Sequence, residues 1–130
     1  MHAQLGDLDQ LSRGLIASVA DLALVVDQDG IVTDLWLGEP FEEQKGWQSL
    51  VGQPWAETVL PDSETKAKEL VERAFAGERV RSREVNQSVE GVGAVPLRAN
   101  AIRVDDDRVV ITGRDIRPVA EMQQRLVSAQ

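Results

Sequence analysis

Leu22-Ala23-Leu24-Val25-Val26 and Ile31-Val32-Thr33-Asp34-Leu35-Trp36-Leu37 are separated only by Asp27-Gln28-Asp29-Gly30. A connection this short needs positive φ, which glycine adopts without steric cost, and Asp-Gly between two apolar runs is a strong hairpin signal. Strands joined so tightly pair antiparallel, so this stretch commits the chain to an antiparallel sheet. By simple alternation Ile31, Thr33, Leu35 and Leu37 share one face of the second arm.

The rest of the chain follows from its periods. Leu8, Leu11, Leu15 and Val19, at steps of three and four, predict an amphipathic helix over residues 5–19. Residues 38–61 hold Gly38, Pro40, Gly46, Gly52, Pro54 and Pro61, so short helical turns are expected there, anchored by Phe41, Trp47, Leu50 and Trp55. Ala67, Leu70, Val71, Ala74 and Phe75 mark the buried stripe of a longer helix that Gly77 stops. On its wet side Glu64 with Lys68 and Glu69 with Arg73 are favourable i,i+4 pairs. From residue 79 the period returns to two. Strands are predicted over 79–87, 94–104 and 108–115, with Asp105-Asp106-Asp107 as the last turn. Val95, Leu97, Ala99 and Ala101 share a face, and the change of parity at Ile102 and Val104 implies a bulge or twist near Ala101. Pro118 restarts the chain as a helix whose Val119, Met122, Leu126 and Ala129 have the spacing of a coiled-coil seam.

These elements predict one α+β domain: a five-stranded antiparallel sheet, helices on one face, and amphipathic helices at both ends. Residues 1–20 form the N-terminal helix, 21–116 the core and 117–130 the start of a linker helix. At 130 residues the chain can bury a core without disulfides, and it contains no cysteine. Thiolate chemistry, cysteine metal sites and cysteinyl chromophore adducts are thereby excluded. No apolar run approaches the ~18 residues of a spanning helix, and the expected setting is cytoplasmic with no membrane role. The net charge of -8 disfavours a grip on nucleic-acid phosphates by these residues.

Leu50-Val51-Gly52-Gln53-Pro54-Trp55 followed by Val59-Leu60-Pro61-Asp62, and the Gly113-Arg114-Asp115-Ile116 ending of the last strand, resemble the corresponding stretches of PAS domains. The resemblance covers roughly residues 10–130. Two stretches sharpen it: Leu15-Ile16-Ala17-Ser18-Val19-Ala20-Asp21-Leu22, and Gly113 through Gln124 (GRDIRPVAEMQQ). Both are similar to the N-terminal PAS-type domain of the PpsR/CrtJ family, bacterial repressors of photosynthesis genes. That resemblance implies a regulatory module and not an enzyme. It implies homodimers or larger homo-oligomers, association with a flavoprotein antirepressor, and DNA contact only through a domain outside these residues. It also implies a glutamine-rich linker helix, with which Gln123, Gln124 and Gln130 agree.

Candidate site residues divide into two groups. The first serves assembly: Leu8, Leu11 and Leu15 on the first helix, and Val119, Met122 and Leu126 on the last, are read as a dimer interface. The plainer account is that each helix packs on its own sheet. The second group is a small-molecule pocket, with Trp36, Trp55 and Phe75 as its candidates. Trp36, Trp47 and Trp55 equally suit core packing, because aromatics bury the most area. This ligand- or flavin-binding sensor is the alternative function. No cofactor is expected: His2 is the only histidine, and the long helix offers no axial haem ligand. The aspartates at 27, 29 and 105–107 fit turns better than calcium, which needs six to eight oxygens. Arg98 and Asn100 point either inward or to water. Arg79, Arg81 and Arg83 share one strand face by alternation, suited to an acidic partner or simply to solvent. No nucleophile–base pair or phosphate loop marks a catalytic site.

Overall fold

The computed structural model describes residues 10–117. Helix α1 (Gln10–Val19) leads into β1 (Leu22–Val26) and β2 (Val32–Leu37). A 3-10 turn (Lys45–Leu50), the short α2 (Trp55–Thr58) and α3 (Glu64–Phe75) follow. The chain then runs through β3 (Val80–Val89), β4 (Gly93–Asp105) and β5 (Arg108–Asp115). All neighbouring strands are antiparallel, in the order β2-β1-β5-β4-β3. The five-stranded α+β architecture expected from the sequence is therefore present.

The hairpin forms as its turn chemistry demands. Gly30 sits at φ 77°. Asp27 Oδ1 accepts the amides of Asp29 (2.9 Å) and Ile31 (3.0 Å), which fixes the turn from inside. The face assignment of β2 needs correction, however. Val26 pairs with Val32 and Val25 with Asp34, so Thr33 is an extra residue. The bulge flips parity: Val32, Leu35 and Leu37 face the core, while Thr33 is exposed and Ile31 only half-buried.

One sheet face carries the main core. Leu22, Leu24 and Val26 of β1, Val85 and Val89 of β3, Val95, Leu97, Ala99 and Ala101 of β4, and Val109 and Ile111 of β5 all point to it. Ala67, Leu70, Val71 and Ala74 of α3 close it from above, as the helical period requires, and Gly77 ends the helix at φ 96°. Phe41, Trp47, Leu50 and Trp55 anchor the middle segment and are all buried. The irregularity expected near Ala101 lies beside it, in β3. Val80 pairs with Ala101 and Arg83 with Ala99, so three steps on β3 match two on β4. Between Arg103 and Asp105 the register shifts again, with Val104 as the extra residue. One of the two expected charge pairs forms and the other does not. Glu64 and Lys68 meet at 3.2 Å, but Glu69 reaches Arg83 (3.6 Å) and Arg73 reaches Glu78 (2.5 Å), because partners outside the helix lie within reach.

Candidate functional site

Beneath α3 the space between sheet and helices is occupied by side chains. Trp55 is 1 % exposed and its Nε1 donates to Gln87 Oε1 at 2.9 Å. The Gln87 amide nitrogen donates to the carbonyl and hydroxyl oxygens of Thr58, at 3.0 and 2.9 Å. This closed set holds α2 against β3, and the Val59–Gln87 bridge lies directly beside it. Phe41 and Trp47 pack beyond it with tilted rings, centroids 4.6 Å apart, and Trp47 Nε1 donates to Gln44 Oε1 at 2.8 Å. Among the described residues no buried side-chain polar atom lacks a partner.

The three pocket candidates are therefore dispersed. Trp55 belongs to the filled core, and Phe75 packs half-buried at the end of α3. Trp36 lies on the other side of the sheet, against Ile16, Ala23, Val25 and Val110. A groove of about 240 Å³ does open between the β1–β2 turn and α3. Its walls include Gly30, Pro54, Ala67 and Val71, rimmed by Glu57 and Glu72, and it shares none of the three candidate aromatics.

The outer sheet face is where α1 lies. Ile16 packs on Ala23, Val25, Trp36 and Val110 in a second apolar cluster. One turn of α1 thus covers the β2-β1-β5 part of the sheet, while Leu15 (62 %) and Val19 (63 %) remain exposed. Of the interface candidates, Leu15 is exposed. Leu11 lies in α1, but its side chain falls outside the described part of the chain. Leu8, Val119, Met122 and Leu126 lie outside the described residues.

The entry to β1 and the end of β5 are tied together. The Asp21 amide donates to the Gly113 carbonyl at 2.9 Å, and the Asp115 amide donates to Asp21 Oδ2 at 2.8 Å. Asp115, with a side chain only 9 % exposed, accepts Arg117 Nε at 3.0 Å and Nη2 at 2.8 Å. At the opposite end Arg108 donates to Asp105 at 2.9 and 2.6 Å. The side-chain bond from Arg108, then the Asp107 amide, holds the Asp105 carboxyl below the usual aspartate range. The same bond raises Arg108. Gln28 Nε2 donates to the Asp106 carbonyl at 2.8 Å, so these aspartates build and tie turns. Among the described residues no cluster of His, Asp or Glu is placed to hold a metal.

Sequence reasoning missed Gln87 and Asp21. For Gln87 a signal existed: it occupies the core parity between Val85 and Val89. Asp21 gave none, since its partner is 94 positions away.

Comparison with known proteins agrees with this architecture. No protein-family model matches the chain. Protein CrtJ of Rhodobacter capsulatus is 26 % identical over 121 residues, covering 92 % of this chain. The matched stretch spans about a quarter of that protein, 26 % of its length. A domain of a sensory box sensor histidine kinase/response regulator from Geobacter sulfurreducens superposes with TM-score 0.62 at 16 % identity, covering 86 % of this chain and 97 % of that one. The PAS domain of an HTR-like protein from Haloarcula marismortui gives TM-score 0.59 at 19 % identity, over 84 % of this chain and 100 % of that one. The chain thus has the PAS fold, and its sequence is similar to that of CrtJ.

Proposed function

We propose that this domain is the assembly and relay module of a transcriptional regulator of the PpsR/CrtJ type. It self-associates through α1 and the exit helix beyond residue 117, and passes a signal from the sheet along that helix to a DNA-binding domain elsewhere. On this reading the protein is cytoplasmic, represses photosynthesis genes, and meets a flavoprotein antirepressor. The observation that carries the reading is α1 itself. It covers the sheet with Ile16 yet leaves Leu15 and Val19, more than half exposed, on a ridge suited to a second copy. Isologous pairing of such a ridge buries apolar area on both copies at once. No helix among the described residues is long and apolar enough to cross a membrane.

Sedimentation over a concentration series tests the proposal, with Leu15→Asp/Val19→Asp and Val119→Asp/Leu126→Asp variants alongside. A wild-type dimer that becomes monomeric in either variant is the expected result. A monomer at every concentration overturns it. Native mass spectrometry tests the alternative, a ligand-binding sensor: recovered extra mass would favour it.

A further inference from the structure

The β5-β4-β3 side of the outer sheet face is basic, against the balance of a chain with 22 acidic and 14 basic residues. Arg98 and Arg114 are register partners on adjacent strands, and both are exposed. Like charges directly opposite in a sheet, with Cβ atoms about 4.5–5.5 Å apart, are destabilising. Glu84 stands opposite Arg98 on β3 and offsets part of that charge, but no ion pair joins them. In the next two rows on the same face, Asn100 pairs with Thr112 and Ile102 with Val110.

Two more guanidinium groups, of Arg79 and Arg81, join this surface beside the β3 bulge. Ser82 holds φ 55°, unusual for a residue with a side chain, and its amide donates to Asn100 Oδ1 at 2.9 Å. The extra residue separates the three arginines that simple alternation placed together. Arg83 turns toward α3 and Glu69, at 3.6 Å. Arg79 and Arg81 instead line a concavity of about 190 Å³ with Asn100, Ile102, Val110 and Thr112. Arg79, Arg81, Arg98 and Arg114 form no ion pair among the described residues. Ile102 is 43 % exposed at the concavity, and Val110 continues from it into the cluster beneath α1.

We propose that this side of the outer face docks an acidic amphipathic segment of a partner protein. An apolar side chain of that segment seats against Ile102 and Val110, and carboxylates on either side meet Arg79 with Arg81 and Arg98 with Arg114. Guanidinium forks suit carboxylates, which they bind in a bidentate manner. The arginines occupy separate register rows with an apolar concavity between them. That spread asks for several carboxylates on one scaffold, more than a single small anion carries. A nucleic-acid backbone is disfavoured by the net charge of -8 of the whole chain. The inference rests on the face of β5, β4 and β3 and does not require self-association through α1.

The test is a titration of the isotopically labelled 130-residue chain with a synthetic 14-residue helix-forming peptide of glutamate, leucine and alanine, and with its glutamine analogue. Saturable amide shifts are expected at Ser82, Asn100, Ile102, Val110 and Thr112. Affinity falls at least tenfold in Arg79→Gln/Arg81→Gln, about threefold in Arg98→Gln, and at least tenfold for the glutamine peptide. Melting temperatures confirm that these exposed substitutions leave the fold intact. The Leu15→Asp/Val19→Asp variant retains binding, so this inference and the assembly proposal fail separately. No saturable binding up to 1 mM, or equal affinity in the arginine variants, overturns the inference. Tighter binding of decanoate or of a 12-base-pair DNA duplex at the same arginines also overturns it, assigning the face to a small anion or to nucleic acid.

Discussion

Gln87 is a polar side chain with no exposure, and every polar atom of its amide is engaged. Replacing it by leucine keeps the volume but strands the Trp55 indole N–H and the Thr58 carbonyl without partners. A buried group left unsatisfied costs about 1–3 kcal/mol. Gln87→Leu should therefore lower unfolding free energy by roughly 2–3 kcal/mol in urea, with an unchanged fold by circular dichroism. A different residue sets a pH dependence. Arg108 holds Asp105 below the usual aspartate range, so the folded chain binds that proton less readily than the unfolded one. The contribution to stability is complete above the ordinary aspartate pKa and is lost as pH falls through the lowered value. A carboxyl-detected NMR titration should place Asp105 below its value in Arg108→Gln. Gln87 was readable in principle, because glutamine at the parity of Val85 and Val89 implies a buried amide. The Asp105–Arg108 pair was not identified in advance, since the three aspartates all read simply as turn residues.

At the scale of elements, local chemistry made some features legible and long-range approach hid others. The hairpin was legible because Gly30 supplies a φ of 77°, and α3 because its apolar residues keep the helical period. The bulge at Thr33 was not, since alternation cannot reveal one added residue until the partner strand fixes register. The same limit hid the β3 bulge, which separated Arg83 from Arg79 and Arg81. Trp36 needed no bulge to be placed: alternation already sets it opposite Leu35 and Leu37, and its indole lies on the outer face. Gly46 shows how closely two elements can meet. A Cβ there would lie 1.8 Å from the Glu90 carbonyl oxygen, so the 3-10 turn touches the β3–β4 turn backbone to backbone. Gly46→Ala should cost about 3 kcal/mol, the upper end of typical overpacking penalties, measured as a shift in the urea midpoint at unchanged slope.

For the whole molecule, strand order decides which parts open last. β1 and β5 lie inside the sheet, paired on both sides, while β2 and β3 are its edges. Hydrogen exchange should be slowest at the amides of Leu24 and Ile111, register partners at the centre, and faster along the Arg81–Glu84 stretch of β3. Comparable rates in both places would mean that the sheet opens as one unit. The same order has a mechanical consequence. Asp21, where the chain comes in from α1, and Asp115, where it departs, are clamped by a 2.8 Å bond on two neighbouring strands. A pull or twist applied between α1 and the chain leaving β5 would load that clamp in the manner of a zip, one bond after another, and bypass the remaining strands. The bulk of the domain then hangs to one side of the load path like a bob on a line, free to be weighted or blocked by whatever it binds while the line itself stays short.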